Sequence, residues 1–357
     1  MNHPMSWQAI EAEAIAKVEA IRSSGSLQFV FITDTHHAER GNQLLAAQCI
    51  QRLAGRIPFD FIALGGDVSV NGEKRNVMEL QSEMIDALSV PSCPLLTVKG
   101  NHDDNSIYDY YHDPTGTSNV IFPEETFGIA LERLNDIVRF EPDNPGGLYY
   151  YYDIPDKKTR VIVLNCIDIP YVVSDSGGLK HNGQWKYAFS ERQLHWVAGT
   201  ALDLDGVADR GEWGVLFLSH VALLQDGVFG SDHPIANAEV MWGIIQAYRN
   251  GSGFVSVPTT GDFAQSVAAD FSNQGAGRVI ASLFGHVHYD QVLVREGIPM
   301  ISTLNCQTHR DFEEAPVREK ETASAIAFDI VTVDAERGIM NMTRVGAGED
   351  RSVKLTF

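Results

Sequence analysis

Residues 27–36 of the chain read LQFVFITDTH, a mostly apolar run, Leu27–Ile32, that leads into Asp34 and His36. The same arrangement recurs along the chain: an apolar run of strand length ends in a turn or directly in polar side chains. The further cases are Phe61–Leu64 before Gly65-Gly66-Asp67, Leu95–Val98 before Gly100-Asn101-His102-Asp103, Val215–Leu218 before His220, and Val279–Phe284 before Gly285-His286-Val287-His288. Such runs suit strands covered on both faces. Open α/β sheets place their sites at the carboxyl ends of strands, so we expect these polar residues to meet at one site.

The remaining patterns predict how the strands are arranged. Two pairs of runs are typical of β-hairpins: Tyr149–Ile154 with Val161–Leu164, and Ile326–Val333 with Ile339–Val345. Helical periodicity occurs elsewhere, as in the apolar face of residues 77–88. Strands in succession in some places and helices in others favour an α/β fold of two mixed sheets flanked by helices.

The candidate site residues lie far apart in sequence, from residue 34 to residue 288, and must meet at one point. We therefore expect a single domain over residues 1–357. Within it, residues 1–25 are expected to hold an N-terminal amphipathic helix, residues 27–310 the catalytic core, and residues 311–357 a C-terminal hairpin that completes a sheet. Residues 103–126 and 168–189 are rich in loop-forming residues, and long loops in a compact domain often serve as functional lids.

Seven polar side chains at the predicted strand ends are candidate metal ligands: Asp34, His36, Asp67, Asn101, His220, His286 and His288. Asp34 and His36 are two residues apart, so side chains at a strand end can point the same way. Asp67 can bring a carboxylate close enough to bridge two cations, and the two histidines of 286–288 can each bind a different ion. A mixed nitrogen and oxygen set suits Zn, Fe or Mn better than Mg or Ca.

These motifs together resemble those of the calcineurin-like metallophosphoesterase superfamily, over roughly residues 27–290. The resemblance implies a four-layer α/β/β/α sandwich with a dimetal site at the carboxyl ends of the strands. It implies two divalent or trivalent metal ions, Mn, Fe or Zn. By the same resemblance, Asp34, His36 and His288 bind the first ion, Asn101, His220 and His286 bind the second, and Asp67 bridges them.

The resemblance also implies a reaction, the hydrolysis of phosphate esters. A metal-bridging hydroxide attacks phosphorus in line, and two cations neutralise the charge that develops on the equatorial oxygens. The catalytic histidine of the family corresponds to His102, which is expected to protonate the leaving group as general acid, with Asp103 as the residue that orients it.

Departures from particular relatives narrow the expected substrate class. Purple acid phosphatases carry a tyrosine ligand where this chain has Val70, and protein serine/threonine phosphatases carry Val-Asp-Arg-Gly where it has residues 68–72. What remains resembles bacterial phosphodiesterase-like members, so small phosphodiesters are the expected substrates. Two alternatives stay open: a phosphomonoesterase that uses the same site, and a non-catalytic interaction module on the same fold. The presence of His102 and of all seven ligand positions favours an enzyme.

Composition bears on partners and location. Lys+Arg 27 against Asp+Glu 47 gives a formal charge of -20, which disfavours nucleic acid polymers and anionic membranes as partners. No stretch approaches the roughly 20 apolar residues that span a bilayer. Acidic residues and Lys17 interrupt any apolar region near the N-terminus, and the four cysteines are scattered without a CxxC pair. We therefore expect free thiols and a cytoplasmic location. The sequence leaves the oligomeric state open.

Overall fold

The computed structural model describes residues 7–357. Its strands are β1 (Leu27–Ile32), β2 (Phe61–Leu64), β3 (Leu95–Thr97), β4 (Arg139–Phe140), β5 (Tyr150–Ile154), β6 (Thr159–Val163), β7 (Tyr187–Ala188), β8 (Gly214–Leu218), β9 (Ile235–Ala236), β10 (Gly253–Val255), β11 (Ala268–Asp270), β12 (Arg278–Phe284), β13 (Gln291–Arg295), β14 (Ile298–Ser302), β15 (Ala327–Asp334), β16 (Ile339–Gly346) and β17 (Arg351–Lys354). Its α-helices are α1 (Trp7–Ile21), α2 (Gln43–Ala54), α3 (Lys74–Leu88), α4 (Ser106–His112), α5 (Pro123–Thr126), α6 (Glu191–Trp196) and α7 (Ala238–Asn250). Single π turns, Phe127–Leu131 and Val197–Ala201, follow α5 and α6, and 3-10 turns occur at Glu132–Leu134, Pro145–Gly147, Pro155–Lys157, Arg210–Glu212 and Ala323–Ala325.

The first large sheet has the strand order β17-β16-β15-β1-β2-β3. Strands β1, β2 and β3 run parallel, connected by α2 and α3, while β15, β16 and β17 pair antiparallel and extend the sheet from the other side of β1. Every residue of β1 and β2 is buried, which explains why their sequences are nearly continuous apolar runs rather than alternating ones. The parallel arrangement brings the carboxyl ends of β1, β2 and β3 to the same edge.

The second large sheet has the order β13-β14-β12-β8-β6-β5-β4. Its central strands β14, β12, β8 and β6 are parallel, and hairpins add β13 at one side and β5 with β4 at the other. The carboxyl ends of β8 and β12 are therefore neighbours, and they precede His220 and His286 respectively. Two small pairs, β10-β11 and β7-β9, complete the strands of the described chain.

Alternating residues of β8 show how the layers are stacked. Leu216 and Leu218 belong to the core shared with Phe29 and Phe31 of the first sheet. Val215 and Phe217 point the other way, into a second core that includes α7. Helices α1, α2 and α3 supply buried residues to the first core, and α6 and α7 supply them to the second. The result is the expected order of helices, sheet, sheet and helices.

The predicted elements compare well with these bounds. The five runs that precede the candidate ligands are all strands, with ends that differ by no more than one residue, and both hairpins are present. The N-terminal helix buries Ile10, Ala14 and Val18, and residues 1–6 of the predicted 1–25 segment lie outside the described residues. Two features differ: the C-terminal hairpin gains a third strand, β17, and the loop predicted at 103–126 contains α4 and α5.

The cysteines and the helices bear on two further expectations. All four cysteines are free, and Cys93 is the one among them that is partly exposed. In residues 7–357, none of the helices combines the length and the apolar character needed to cross a membrane.

Candidate dimetal site

The seven candidate ligands converge where the carboxyl ends of β1, β2, β3, β8 and β12 meet. Backbone hydrogen bonds tie the loops that follow these strands: Asp34 N donates to Gly66 O at 3.0 Å and His36 N donates to Asp67 O at 3.0 Å. The backbone N–H of His286, from the second sheet, donates to Asp34 Oδ2 at 2.9 Å. The site is therefore built from loops of both sheets that are fixed to each other.

An unusual backbone aims the ligands. Five of them have left-handed φ angles: Asp34 (50°), His36 (39°), Asp67 (52°), His286 (66°) and His288 (52°). The spacing of Asp34 and His36 was expected to let their side chains point the same way at a strand end, but β1 ends at Ile32 and both residues have positive φ. The left-handed conformation costs a non-glycine residue about 1–2 kcal/mol, and such strain clusters at functional sites. Here the positive φ angles, and not an extended strand, set the directions of the ligand side chains.

Glycines beside these residues permit close approach. A side chain at Gly100 would collide with the backbone N and the carboxylate of Asp67, and one at Gly285 would collide with Thr33 and the Asp34 carboxylate. The motifs Gly-Asn-His and Gly-His-Val-His therefore need glycine for space at these positions, rather than for a positive φ.

Asp34, His36 and His288 form the first group. His288 Nε2 lies 3.2 Å from Asp34 Oδ1 and 3.3 Å from His36 Nε2, so ligand atoms of all three residues face one point. Burial acts to raise the pKa of Asp34, but the neighbouring His288 outweighs it and lowers the pKa to about 2. Burial lowers the pKa of His36 to about 4, which favours a neutral imidazole with a free lone pair. Burial acts to lower the pKa of His288, but the carboxylates of Asp34 and Asp311 outweigh it and raise the pKa to about 10, so a metal ion would have to displace a proton from this ring.

Asp67, His220 and His286 form the second group, joined by the side chain of Asn101. Asn101 Oδ1 lies 2.9 Å from His220 Nε2 and 3.0 Å from His286 Nδ1. His220 directs its other nitrogen, Nδ1, at the carbonyl oxygen of Gly65 at 2.8 Å. A hydrogen on Nδ1 satisfies that carbonyl, while Nε2 faces the oxygens of Asn101 and Asp67. Burial acts to lower the pKa of His220, but Asp67 and Asp34 outweigh it and raise the pKa to about 9, so a metal ion would have to displace a proton from this ring as well.

Asp67 lies between the two groups. Its Oδ2 atom is 3.3 Å from His220 Nε2 in the second group and 3.7 Å from His36 Nε2 in the first. The side chain is 2% exposed, and its other oxygen, Oδ1, accepts from the backbone N–H of His102 at 2.8 Å. One carboxylate oxygen therefore faces imidazoles of both groups while the second fixes its orientation.

Two carboxylates that the sequence did not single out contact the nitrogen atoms of His286 and His288 that face away from the other ligands. Asp311 Oδ2 lies 2.5 Å from His288 Nδ1, and Asp232 Oδ1 lies 2.9 Å from His286 Nε2. Such partners fix the orientation and tautomer of ligating histidines. They are 23 and 54 residues away in sequence from the histidines they contact, and no local motif marks them.

His102 lies beside Asp67 with a quarter of its side chain exposed. Its Nδ1 is 2.5 Å from Asn71 Oδ1, and its Nε2 faces Gln184 Nε2 at 3.2 Å. The Asn71 amide nitrogen already donates to His102 O and to Asn105 Oδ1, so its oxygen is the atom left to accept a hydrogen from Nδ1. Asn71 therefore holds the ring.

The expectation that Asp103 orients His102 is wrong. The Asp103 carboxylate accepts hydrogen bonds from the backbone N–H groups of Gly100 at 2.6 Å, Val68 at 2.8 Å and Asp67 at 3.2 Å. It turns away from the imidazole because these three donors, in the turns after β2 and β3, surround it. Its role is to tie the two turns together.

The family comparison agrees with this arrangement. The model of the calcineurin-like phosphoesterase family matches residues 27–290, about three quarters of the chain. The chain belongs to the calcineurin-like phosphoesterase family. No curated protein sequence matches it closely enough to count as a relative.

Several solved structures are also similar to this chain. A dimetal phosphatase from Danio rerio has a TM-score of 0.59 and 15% identity, covering 92% of this chain and 99% of its own. An NAD nucleotidase from Haemophilus influenzae has a TM-score of 0.41 and 12% identity, covering 93% and 54%, and a phosphopantetheinyl hydrolase from Mycobacterium tuberculosis has 0.31 and 13%, covering 79% and 91%. Family membership makes the chain a hydrolase of phosphate esters.

Proposed function

We propose that the two groups hold two metal ions with Asp67 as the shared ligand, and that the chain uses them to hydrolyse small phosphodiesters. The observation that carries the proposal is the position of Asp67 Oδ2, which lies between His36 of the first group and His220 of the second. A single carboxylate that faces two separate ligand sets is the arrangement expected of a two-metal site.

The chemistry of the donors fits such a centre. Asp34, His36 and His288 would hold one ion, and Asn101, His220 and His286 the other. Imidazole nitrogens mixed with carboxylate and amide oxygens suit Mn, Fe or Zn. When bound, two such ions would supply a nucleophile at neutral pH and neutralise charge on the phosphoryl group.

His102 is the proposed general acid. Asn71 fixes its Nδ1, so that Nε2 is directed towards the centre and lies 3.9 Å from Asp67 Oδ2. In the protonated ring, Nε2 would hold the proton that the departing alkoxide needs, a contribution of typically 10²–10⁴-fold in rate. The amide nitrogen of Gln184, a donor, lies 3.2 Å from His102 Nε2, so a leaving oxygen that accepts the proton would have to displace it.

The charges around the centre favour a diester over a monoester. Four carboxylates lie in or against the two groups, from Asp34 and Asp67 within them and from Asp232 and Asp311 behind the histidines. Two divalent ions would balance these four negative charges and no more. A monoanionic diester therefore meets less repulsion there than a dianionic monoester.

The formal charge of -20 supports small esters rather than nucleic acid polymers as substrates. The free thiols support a cytoplasmic location as part of the same proposal.

The test compares methyl p-nitrophenyl phosphate with p-nitrophenyl phosphate in protein loaded with Mn or Zn. The two substrates share a leaving group and differ in the charge of the phosphate. We expect a larger kcat/KM for the diester in the wild type, and loss of activity on both in Asp67→Ala. A larger value for the monoester would support a phosphomonoesterase instead. Inertness towards both in metal-loaded protein would contradict the enzyme and favour the interaction module.

A further inference from the structure

Three aromatic side chains, two of them exposed and one half-buried, form a cluster next to Gln184, which contacts His102. Tyr110 is 54% exposed and Tyr111 66%, both on α4, and Trp185 contacts both from the segment 168–189. We name these three residues the aromatic corner. Single exposed apolar residues are ordinary on a protein surface, but a contiguous exposed group beside a functional site marks a binding surface. The catalytic residues make no use of these rings.

Hydrogen bonds connect the aromatic corner to His102. Trp185 directly follows Gln184, whose Nε2 lies 3.2 Å from His102 Nε2. The carbonyl oxygen of Gln184 accepts from Asn101 Nδ2 at 3.4 Å. The same turn is fixed to the first residue of α4, because Ser106 Oγ donates to Asn182 Oδ1 at 2.9 Å and Asn182 Nδ2 donates to Ser106 O at 3.0 Å. Both sides of the corner are thus held in place relative to the proposed general acid.

More than half of each tyrosine side chain in the aromatic corner is exposed to solvent. Tyr110 and Trp185 meet edge to face with centroids 4.7 Å apart and an interplanar angle of 77°, and Tyr111 stands at 86° to Tyr110. In these contacts the edge of one ring already meets the face of its neighbour. A further ring would therefore stack on the exposed surface of Tyr110 or Tyr111, in one of the geometries that aromatic pairs prefer.

We propose that the aromatic corner binds a flat aromatic group, an aryl ring or a nucleobase, carried by the leaving alcohol of the phosphate ester. The inference rests on the proposed function, since it is His102 Nε2 that defines the leaving-group side. Gln184 stands at that position, and Trp185 is its neighbour in the chain. An aromatic group attached to the leaving oxygen is therefore directed towards the corner.

The test uses phosphonates, in which a carbon replaces the ester oxygen next to the ring and prevents cleavage there. The probes are the monomethyl esters of benzylphosphonate and cyclohexylmethylphosphonate, which differ in the flatness and π face of the ring. Binding to metal-loaded protein is measured by calorimetry. We expect the wild type to bind the benzyl probe more tightly by about 5- to 50-fold, since stacking on an aromatic side chain is of that order.

Two alanine variants test whether the aromatic corner causes the preference for the benzyl probe. The preference should disappear in Trp185→Ala and in Tyr110→Ala, while the affinity for the cyclohexylmethyl probe stays unchanged. The second variant removes a largely exposed ring and serves if the first fails to fold. Tyr108→Ala is the matched control, because Tyr108 is on the same helix but stacks on His112 at 4.2 Å, and it should keep the preference. A third probe, the monomethyl ester of the phosphonate analogue of adenosine monophosphate, distinguishes a nucleobase from a simple aryl ring as the natural group. If this probe binds more tightly than the benzyl probe, the group is a nucleobase. If it binds more weakly, the group is an aryl ring.

Two results would overturn the inference. Equal affinity of the wild type for the benzyl and cyclohexylmethyl probes, or a preference that survives both variants, would remove the aromatic corner from substrate binding and leave the proposed function intact. Binding of none of the probes, together with inertness towards diesters, would overturn both proposals.

Discussion

Replacement of Asn71 by alanine tests the role that the structure gives this residue in place of Asp103. The substitution removes the oxygen that lies 2.5 Å from His102 Nδ1 and leaves all seven candidate ligands untouched. His102 would keep its position in the chain but lose the bond that fixes its ring. We expect protonation of the leaving group to suffer while metal binding does not.

The size of the effect follows from the bonds involved. One hydrogen bond contributes about 0.5–1.5 kcal/mol net, which corresponds to roughly 2- to 12-fold in rate. The whole contribution of a general acid, about 10²–10⁴-fold, is the upper limit, since Asn71→Ala cannot cost more than the loss of His102 itself. We expect a fall of about 10-fold in kcat/KM, near the top of the range for a single bond, because no second side chain holds Nδ1 among the hydrogen bonds of the described residues.

The assay compares two diesters that differ in their need for a proton. Methyl phenyl phosphate releases phenoxide, which is more basic than the p-nitrophenolate released by methyl p-nitrophenyl phosphate. The nitrophenolate departs without protonation. We expect the full loss with the phenyl ester and less than about a twofold loss with the nitrophenyl ester. Metal content should stay at the wild-type level.

A matched control separates positioning from general loosening of the loop. Asn105 contacts Asn71 Nδ2, Gly72 and Asn119 but not the His102 ring, and its φ of 55° makes glycine the compatible replacement. Asn105→Gly should lower both rates equally. An equal loss on both substrates in Asn71→Ala, or no loss at all, would refute the positioning role.

Three other predictions concern the acid, the metal affinity and stability. His102→Ala should lower kcat on methyl phenyl phosphate by about 10²–10⁴-fold with unchanged metal content by mass spectrometry; loss of metal would show a structural role instead. Asp311→Asn should weaken metal binding about 10- to 100-fold in competition with a chelator, because it disturbs the partner of His288 Nδ1, and wild-type affinity would contradict that role. Asp329→Ala should destabilise the protein by about 3–5 kcal/mol in urea unfolding at pH 7, because it leaves buried Arg344 without this partner. Burial acts to raise the pKa of Asp329, but Arg344 and Arg351 outweigh it and lower the pKa. The ionised carboxylate therefore stabilises the fold above its ordinary pKa of about 4, and the difference in unfolding free energy between wild type and Asp329→Ala should narrow as the pH falls below that value. A difference that stays constant with pH would argue against the ion pair.

The fold could be predicted largely from sequence because its central strands are buried on both faces. Leu27–Ile32 and Phe61–Leu64 have the bounds in the structure that their apolar runs predicted. The elements that the sequence did not predict, β17 and α4, have weaker hydrophobic patterns. The four-residue strand β17 alternates between half-buried and exposed residues, and α4 is a seven-residue helix with a sequence, SIYDYYH, that is rich in polar and aromatic residues.

Convergence of the site was predictable from strand ends, but its detailed contacts were not. Parallel strands of one sheet share an edge, which places Asp34 near Asp67, and His220 joins them from the carboxyl end of β8 in the second sheet. The partner of His102 could not be read from sequence, since Asp103 is its neighbour in the chain whereas Asn71 reaches it only after the turns behind β2 and β3 pack together. Asp232 and Asp311 depend in the same way on loops whose course the sequence does not specify.

The central claim is that Asp67 joins two metal sites that act as one centre. Its most direct test is a titration of metal-free protein with Mn, in which bound metal per chain and hydrolysis of methyl p-nitrophenyl phosphate are followed on the same samples. The account predicts that activity appears as the second ion binds and levels off at two ions per chain, and that Asp67→Ala retains at most one ion and no activity. Full activity at one ion per chain, or in Asp67→Ala, would contradict it.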